Sequence, residues 1–188
     1  VQAVPEAAMP ASDTRLWYDF SGIVVMRELT ALFPDLVRVA LADIDEKKGQ
    51  AAEDDLSALG EVHFIGADVG DRLSVHNLMA STLDVFGDVD ILVNNAGVPA
   101  KVRGDMLDID PVNFDFVLDV NLRGAFFLAQ ETAKRMTTRE SANYRSIVFV
   151  TSVSAEMVSI ERAEYCVSKA GAAMMAELFA VRLAPLGI

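Results

Sequence analysis

Short apolar runs along the chain alternate with longer stretches in which apolar residues recur every three or four positions. Val37-Arg38-Val39-Ala40-Leu41-Ala42 reads as a buried strand ending at Asp43. From Glu46 to Leu59, Ala51, Ala52, Leu56 and Leu59 fall at helical spacing, and Gly60 stops the helix. Val62 to Ile65 predicts a short strand. Asp71 is placed to cap a helix carrying Leu73, Leu78, Met79, Leu83 and Phe86, closed by Gly87. Val89 to Val93 predicts a further strand, running into Asn94-Asn95-Ala96-Gly97. Asp110-Pro111, a cap followed by proline at the first helical position, opens a long helix to about Met136. Ile147-Val148-Phe149-Val150 predicts another strand, and a last helix runs from about Ala163 toward Leu183.

Strands that are apolar throughout must be covered on both faces, and their alternation with amphipathic helices implies a parallel sheet. Right-handed crossovers then favour an α/β, Rossmann-like doubly wound sheet with helices on both faces. Residues 1–20 show no sustained period and read as an irregular N-terminal segment. Residues 21–188 form the domain. No internal repeat or low-complexity tract interrupts it.

Composition narrows the partners. The 188 residues are 52% hydrophobic and 23% charged, with mean hydropathy +0.30, which is globular composition. No apolar run approaches a membrane span, and no secretory leader is visible, so the expected location is cytoplasmic and the membrane is not a partner. A net charge of −12 argues against nucleic acid as the main partner. It does not exclude a dinucleotide, whose phosphates backbone N–H groups can hold. A lone cysteine, Cys166, cannot form an internal disulfide and fits a reducing compartment. His63 and His76 have no metal-ligand spacing, so no metal is expected.

Ligands of doubly wound sheets collect at the carboxyl ends of the strands. Asp43, Asp68, Asn94-Asn95-Ala96-Gly97 and Thr151-Ser152 stand there. A carboxylate after the second strand of such a sheet can accept the hydroxyls of an adenosine ribose and repel a 2′-phosphate, selecting NAD over NADP. Taken alone, Asp43 reads as readily as a solvated turn residue beside Asp45 and Glu46. Tyr165 and Lys169 are four apart in a helix and share a face. An ammonium beside a phenol stabilises the phenolate, giving a group that moves protons near neutral pH. Ser152 would hydrogen-bond a substrate carbonyl from a second side. The Tyr-x-x-x-Lys spacing by itself is also met in ordinary surface helix pairs.

The ordered set is more specific: Asp43, Asp68, Asn94-Asn95-Ala96-Gly97, Val120-Asn121-Leu122-Arg123-Gly124, Thr151-Ser152-Val153-Ser154, then Tyr165-Cys166-Val167-Ser168-Lys169. From about residue 37 to 188 it resembles the classical short-chain dehydrogenase/reductase family, in the flavour of bacterial 3-oxoacyl-carrier-protein reductases. The resemblance implies an NAD(H)-dependent oxidoreductase that interconverts a hydroxyl and a carbonyl on a small-molecule alcohol or ketone. It implies Tyr165 as general acid/base, Lys169 as its modulator and a ligand of the nicotinamide ribose, Ser152 as the carbonyl-orienting hydroxyl, and Asn121 as holder of a relay water. Asp43 and Ile44 would meet the adenosine ribose, Asp68 and Val69 the adenine, and Asn94, Ala96 and Gly97 would line the cofactor.

The family's opening glycine-rich turn is reduced here to Ser21-Gly22-Ile23, with Val24 in the place of the last glycine. Gly22 and Ile23 are the expected remnant of the pyrophosphate site; alternatively, Ile23-Val24-Val25-Met26 is itself a strand. The family's later strand, cofactor loop and substrate lid would lie beyond Ile188, so the fold is expected to be incomplete at both ends. A silent relic or interaction module stands as the alternative, with little turnover expected of the chain as written. Apolar residues around much of the Asp110–Met136 helix, and similar ones after Tyr165, predict a homodimer or homotetramer.

Overall fold

The computed structural model describes residues 38–139 and 143–188. The irregular segment read for residues 1–20, the boundary at 21, Gly22, Ile23 and the alternative strand over 23–26 lie outside the described residues. The described elements are β1 (Arg38–Asp43), α1 (Glu46–Leu56), β2 (Glu61–Gly66), α2 (Arg72–Phe86), β3 (Ile91–Asn94), α3 (Pro111–Leu118), a π-helical turn (Asp119–Gly124), α4 (Ala125–Thr138), β4 (Ser146–Phe149) and α5 (Ala163–Leu183).

β1 pairs in parallel with β2, Arg38 opposite Glu61 through Asp43 opposite Gly66, and β3 pairs in parallel with β4, Ile91 opposite Ser146 through Asn94 opposite Phe149. A parallel pair needs a crossover, and each here is helical. α1 joins β1 to β2, and α3, the π-turn and α4 together join β3 to β4. Among the described residues the two pairs are not hydrogen-bonded to each other.

Side-chain alternation divides the core into two layers. Val39, Leu41 and Val62 pack with Ala52 and Leu56 of α1, and Phe64 joins them. Ala42, Ile65 and Leu92 pack instead against Val75, Leu78 and Met79 of α2 and Leu128 of α4. Successive residues of one strand thus serve opposite faces, and helices cover both. This is the α/β doubly wound architecture that the apolar strands imply.

Local chemistry sets the helix boundaries. Asp45 accepts a hydrogen bond from Lys48 N–H at the start of α1, which holds its carboxyl below the ordinary aspartate value, and Asp71 accepts from Ser74 N–H at the start of α2. Asp110 caps α3 by accepting from Val112 N–H, with Pro111 in the first turn. α1 ends at Leu56 rather than Leu59, because the Ser57 hydroxyl bonds back to the Glu53 carbonyl. The single helix expected from Asp110 to Met136 is three segments, its continuity kept by the π-turn at Asp119–Gly124. Such turns are frequent at functional sites. The reason here is steric. A Cβ on Gly124 would lie 2.0 Å from the Val69 carbonyl oxygen, so the turn brings this helix backbone directly against the loop after β2.

Candidate functional site

Every strand end delivers residues to the same side of the sheet. Asp43 closes β1, Asp68 and Val69 follow β2, Asn94 closes β3, and Val150-Thr151-Ser152 follow β4. Neighbouring ends are tied together: Ala67 N–H donates to Asp43 O at 3.0 Å, and Val150 N–H to Asn94 O at 3.1 Å.

The centre of the site is Lys169. It is 6% exposed, and its Nζ donates to the Val150 carbonyl at 3.0 Å. Burial disfavours the charged form and pushes its pKa below the ordinary lysine value. Nζ lies 5.9 Å from the ring centroid of Tyr165, one turn earlier on α5. Arg162 also faces that ring, with Cζ 5.8 Å from its centroid. Two cationic groups therefore lie within 5.9 Å of the centre of the half-buried phenol ring.

Gly97 approaches this centre closely. A Cβ there would lie 3.3 Å from Asn121 Oδ1 and 3.4 Å from Lys169 Nζ, so any side chain would crowd both. Asn121, 2% exposed on the π-turn, uses its whole amide on protein partners. Oδ1 accepts from Val98 N–H at 2.7 Å, and Nδ2 donates to Val98 O at 2.9 Å and to Ser168 Oγ at 3.1 Å. Ser168 Oγ in turn donates to the Tyr165 carbonyl at 2.8 Å. Asn121 therefore fixes the loop after β3 and the first turns of α5 in one step.

Ser152 caps the short turn Val153–Ala155, its Oγ accepting from Ser154 N–H at 3.2 Å. A hydroxyl that accepts in this way keeps its own hydrogen to donate. The turn packs against α5, which carries Tyr165. Asn94 is buried and donates from Nδ2 to Ala125 O at 2.7 Å, locking the end of β3 to α4. Ala96 is exposed.

Farther along the same edge, Asp43 is half-buried, and its Oδ1 accepts from Asp45 N–H at 2.8 Å, which sets the plane of the carboxylate. Ile44 beside it is 69% exposed. Asp68 is exposed; its Oδ1 accepts from Gly70 N–H, while its own N–H donates to Ser74 Oγ. Asn121, Gly97 and Lys169 thus meet directly, with the Tyr165 ring near Lys169, and Ser152 lies two residues beyond the carbonyl that holds Lys169. Asp43 and Asp68 stand apart from that centre on neighbouring strand ends. The sequence assigns no individual role to Ser168 or Gly124, although both fall in the ordered segments, and none to Glu164 or Asn113. Ser168 is one turn after Tyr165, so its bond to the Tyr165 carbonyl is local; the contacts of Glu164, Asn113 and Gly124 are with residues distant in sequence.

The arrangement fits a dinucleotide. It offers a half-buried carboxylate at Asp43, a glycine set tightly against Asn121 and Lys169, a buried ammonium and a phenol. Among the described residues no group of three or more His, Cys, Asp or Glu side chains could hold a metal ion, and no helix is long and apolar enough to cross a membrane.

Comparison with known proteins identifies the family. The family model for short chain dehydrogenases matches residues 30–188. A 3-oxoacyl-[acyl-carrier protein] reductase from Brucella melitensis, crystallised in complex with NAD, superposes with a TM-score of 0.82 at 39% identity, over 88% of this chain and 64% of that one. L-rhamnose 1-dehydrogenase (NAD(P)(+)) of Azotobacter vinelandii is 32% identical over 157 residues, 80% of this chain and 59% of its own length. The (21S)-21-acetoxyl-apo-melianone synthase SDR of Melia azedarach is 32% identical over 152 residues, 80% of this chain and 54% of its own. The chain thus spans between half and three fifths of these curated relatives. Its matched residues, its parallel α/β architecture and the order of its site segments place it in one family: the chain belongs to the short-chain dehydrogenases, a family of oxidoreductases.

Proposed function

We propose that this chain carries the acid/base centre and much of the dinucleotide site of an NAD(H)-dependent oxidoreductase that interconverts a hydroxyl and a carbonyl on a small molecule. The observation that carries the reading is the buried Lys169 ammonium, held on the Val150 carbonyl and set between Gly97, Asn121 and the Tyr165 ring.

Asp43 and Ile44 hold the adenosine ribose, Asp68 and Val69 the adenine, and Asn94, Ala96 and Gly97 line the path to the nicotinamide, with Gly22 and Ile23 as the pyrophosphate contribution. When bound, the cofactor supplies or takes the hydride. The chain's own groups orient the substrate and move the proton. Ser152 Oγ donates its hydrogen to the substrate oxygen, and Tyr165 Oη delivers a proton to that oxygen in reduction and removes it in oxidation. Lys169 favours the phenolate by its charge and binds the nicotinamide ribose; Asn121 keeps the centre in register and stands at the entry of a proton relay. Val153, Met157, Val158 and Ile160 are all more than half exposed around the turn before α5, which suits an alcohol or ketone with an apolar body.

The resemblance to an NAD-bound reductase and the Asp43 carboxylate favour NAD(H) over NADP(H). The exposed apolar side of α5 supports self-association as a homodimer or homotetramer. Titrating the chain with NADH by fluorescence, with Lys169→Ala as the comparison, tests the reading. Saturable binding that Lys169→Ala weakens is expected; equal binding by both would overturn it.

A further inference from the structure

We propose that Glu164 is a positioning residue for Tyr165, clamping the loop after β3 to the head of α5 through Asn113. The inference rests on Tyr165 as the acid/base, and it adds a residue that the motif does not contain.

Glu164 immediately precedes Tyr165 in the first turn of α5 and is 1% exposed. Carboxylates are almost never buried to this degree without a partner. Its partner is the Asn113 side chain of α3, whose Nδ2 donates to Glu164 Oε1 at 2.5 Å. The same amide faces the other way as an acceptor: Lys101 N–H donates to Asn113 Oδ1 at 3.1 Å. One amide therefore joins the Glu164 carboxylate to the backbone of the loop that begins at Asn95. Glu164 Oε2 has no hydrogen-bond partner among the described residues. A buried orphan acceptor is a stability cost, and retaining one calls for an explanation outside stability.

The loop supplies that explanation. Val98 N–H donates to Asn121 Oδ1, Lys101 N–H to Asn113 Oδ1 and Gly104 N–H to Glu161 O at 3.2 Å. Anchors thus recur at every third residue, from the π-turn, from α3, and from the turn just before α5. The first ties the loop to Asn121 and the third to the approach of α5. The middle one, through Glu164, ties it to the helical turn that carries Tyr165. No side chain caps the start of α5, because Arg162 makes no capping hydrogen bond. Glu164 is consequently the acidic residue of that turn, placed favourably near the helix N-terminus, and it fixes where the turn sits relative to Gly97 and Val98.

Backbone amide exchange reads the clamp directly, because Lys101 N–H is one of its hydrogen bonds and Val98 N–H is an internal reference. In the full chain, Glu164→Ala and Asn113→Ala should each speed exchange at Lys101 at least tenfold while Val98 and the β1–β2 amides stay protected. Glu164→Gln should restore slow exchange, since its amide oxygen can still accept from Asn113. With tyrosines 13C-labelled, the Tyr165 ring signal should move in the alanine variants and return in Glu164→Gln, and that of the exposed Tyr144 should stay fixed. If Glu164→Ala does not fold, Asn113→Asp provides the same reading, as it keeps the acceptor for Lys101 and removes the donor to Glu164. Its Tyr165 signal should then move. Lys101 exchange within twofold of the unmodified chain in both alanine variants, or an unmoved Tyr165 signal in Asn113→Asp, would overturn the proposal. Turnover unaffected by Tyr165→Phe would remove the acid/base role instead, leaving the exchange data to decide the clamp.

Discussion

Lys169 Nζ donates to the backbone carbonyl of Val150, so the helix that carries Tyr165 is pinned to the strand end that carries Ser152. One buried ammonium sets the distance between two groups that must face the same substrate oxygen. Burial lowers the lysine pKa from the ordinary 10.5. Between the lowered folded value and 10.5, the unfolded chain holds a proton that the folded chain has released, so this group makes stability rise with pH in that window. The stability of the unmodified chain relative to Lys169→Met should therefore increase as pH climbs toward 10.5 and be flat below the lowered value. Urea unfolding across pH 7 to roughly 10.5 measures it. A difference that falls with pH would contradict the burial argument.

Tyr165→Phe removes the transferable proton and keeps the ring near Arg162 and Lys169. In any form that turns over, kcat for NAD-linked turnover should fall at least about 10²-fold, the low end for general acid–base catalysis, with the Kd for NADH nearly unchanged. Lys169→Ala should weaken both. Stopped-flow rates and fluorescence titration separate the two effects, and near-normal turnover by Tyr165→Phe would reduce the helix pair to a structural one.

Asp43 holds its carboxylate in one plane through the Asp45 N–H. NAD(H) should bind at least about tenfold tighter than NADP(H), a difference of roughly 1.4 kcal/mol, and Asp43→Ala should narrow the gap from both sides. Calorimetric titration with the two cofactors decides it. Equal affinities for the unmodified chain would remove Asp43 from the ribose site.

Much of this was legible because it is local. A cap such as Asp71 needs only the three residues that follow, and the alternation of Val39 and Leu41 with Ala40 and Ala42 already requires two covered faces. The Tyr165–Lys169 pair is likewise a matter of one helical turn. The π-turn was not legible. Asp119–Gly124 looks like ordinary helix until Val69, fifty-five residues before Gly124, is known to press on it. The Glu164–Asn113 contact spans 51 residues, and nothing near either residue announces the other. Candidates that lie within one helical turn or at a strand end can be read from the sequence; contacts made by approach between distant elements need the fold.

Gly124→Ala tests that approach. Its Cβ would meet Val69 O at 2.0 Å, Val69 C at 2.8 Å and Asp119 O at 3.0 Å, all of them backbone atoms that cannot rotate away. The cost should reach the upper part of the range for overpacking, about 1–3 kcal/mol, and the Asp68–Val69 loop should shift with it. Chemical denaturation gives the first quantity. Weaker NADH binding in the fraction that stays folded gives the second. A variant as stable as the unmodified chain would mean that the π-turn has room to relax.

The last prediction concerns the outer side of α5. Val167, Met174, Leu178 and Val181 recur at intervals of seven, four and three residues, so they form one stripe along the helix, and each is about half exposed or more. A groove alongside is lined by Leu118, Leu122 and Phe126 with Met174 and Leu178, so the stripe continues onto α3, the π-turn and α4. Asp115, Asp119 and Arg123 also line the groove, so the apolar surface has a charged border, as a surface that meets another copy would have. A two-fold contact would lay each stripe on the partner copy's groove and bury both, the arrangement in which one patch serves both subunits. Sedimentation equilibrium at micromolar concentration should show a dimer or larger. Leu178→Glu would put a charge at the middle of the stripe. It should weaken association at least about 100-fold, roughly 2.7 kcal/mol, with the helical circular dichroism unchanged because Leu178 contributes little to the monomer core. Leu73→Glu, at a comparably exposed leucine on α2, should leave the assembly intact. A monomer in the unmodified chain, or equal loss in both variants, would show that the stripe is not where copies meet.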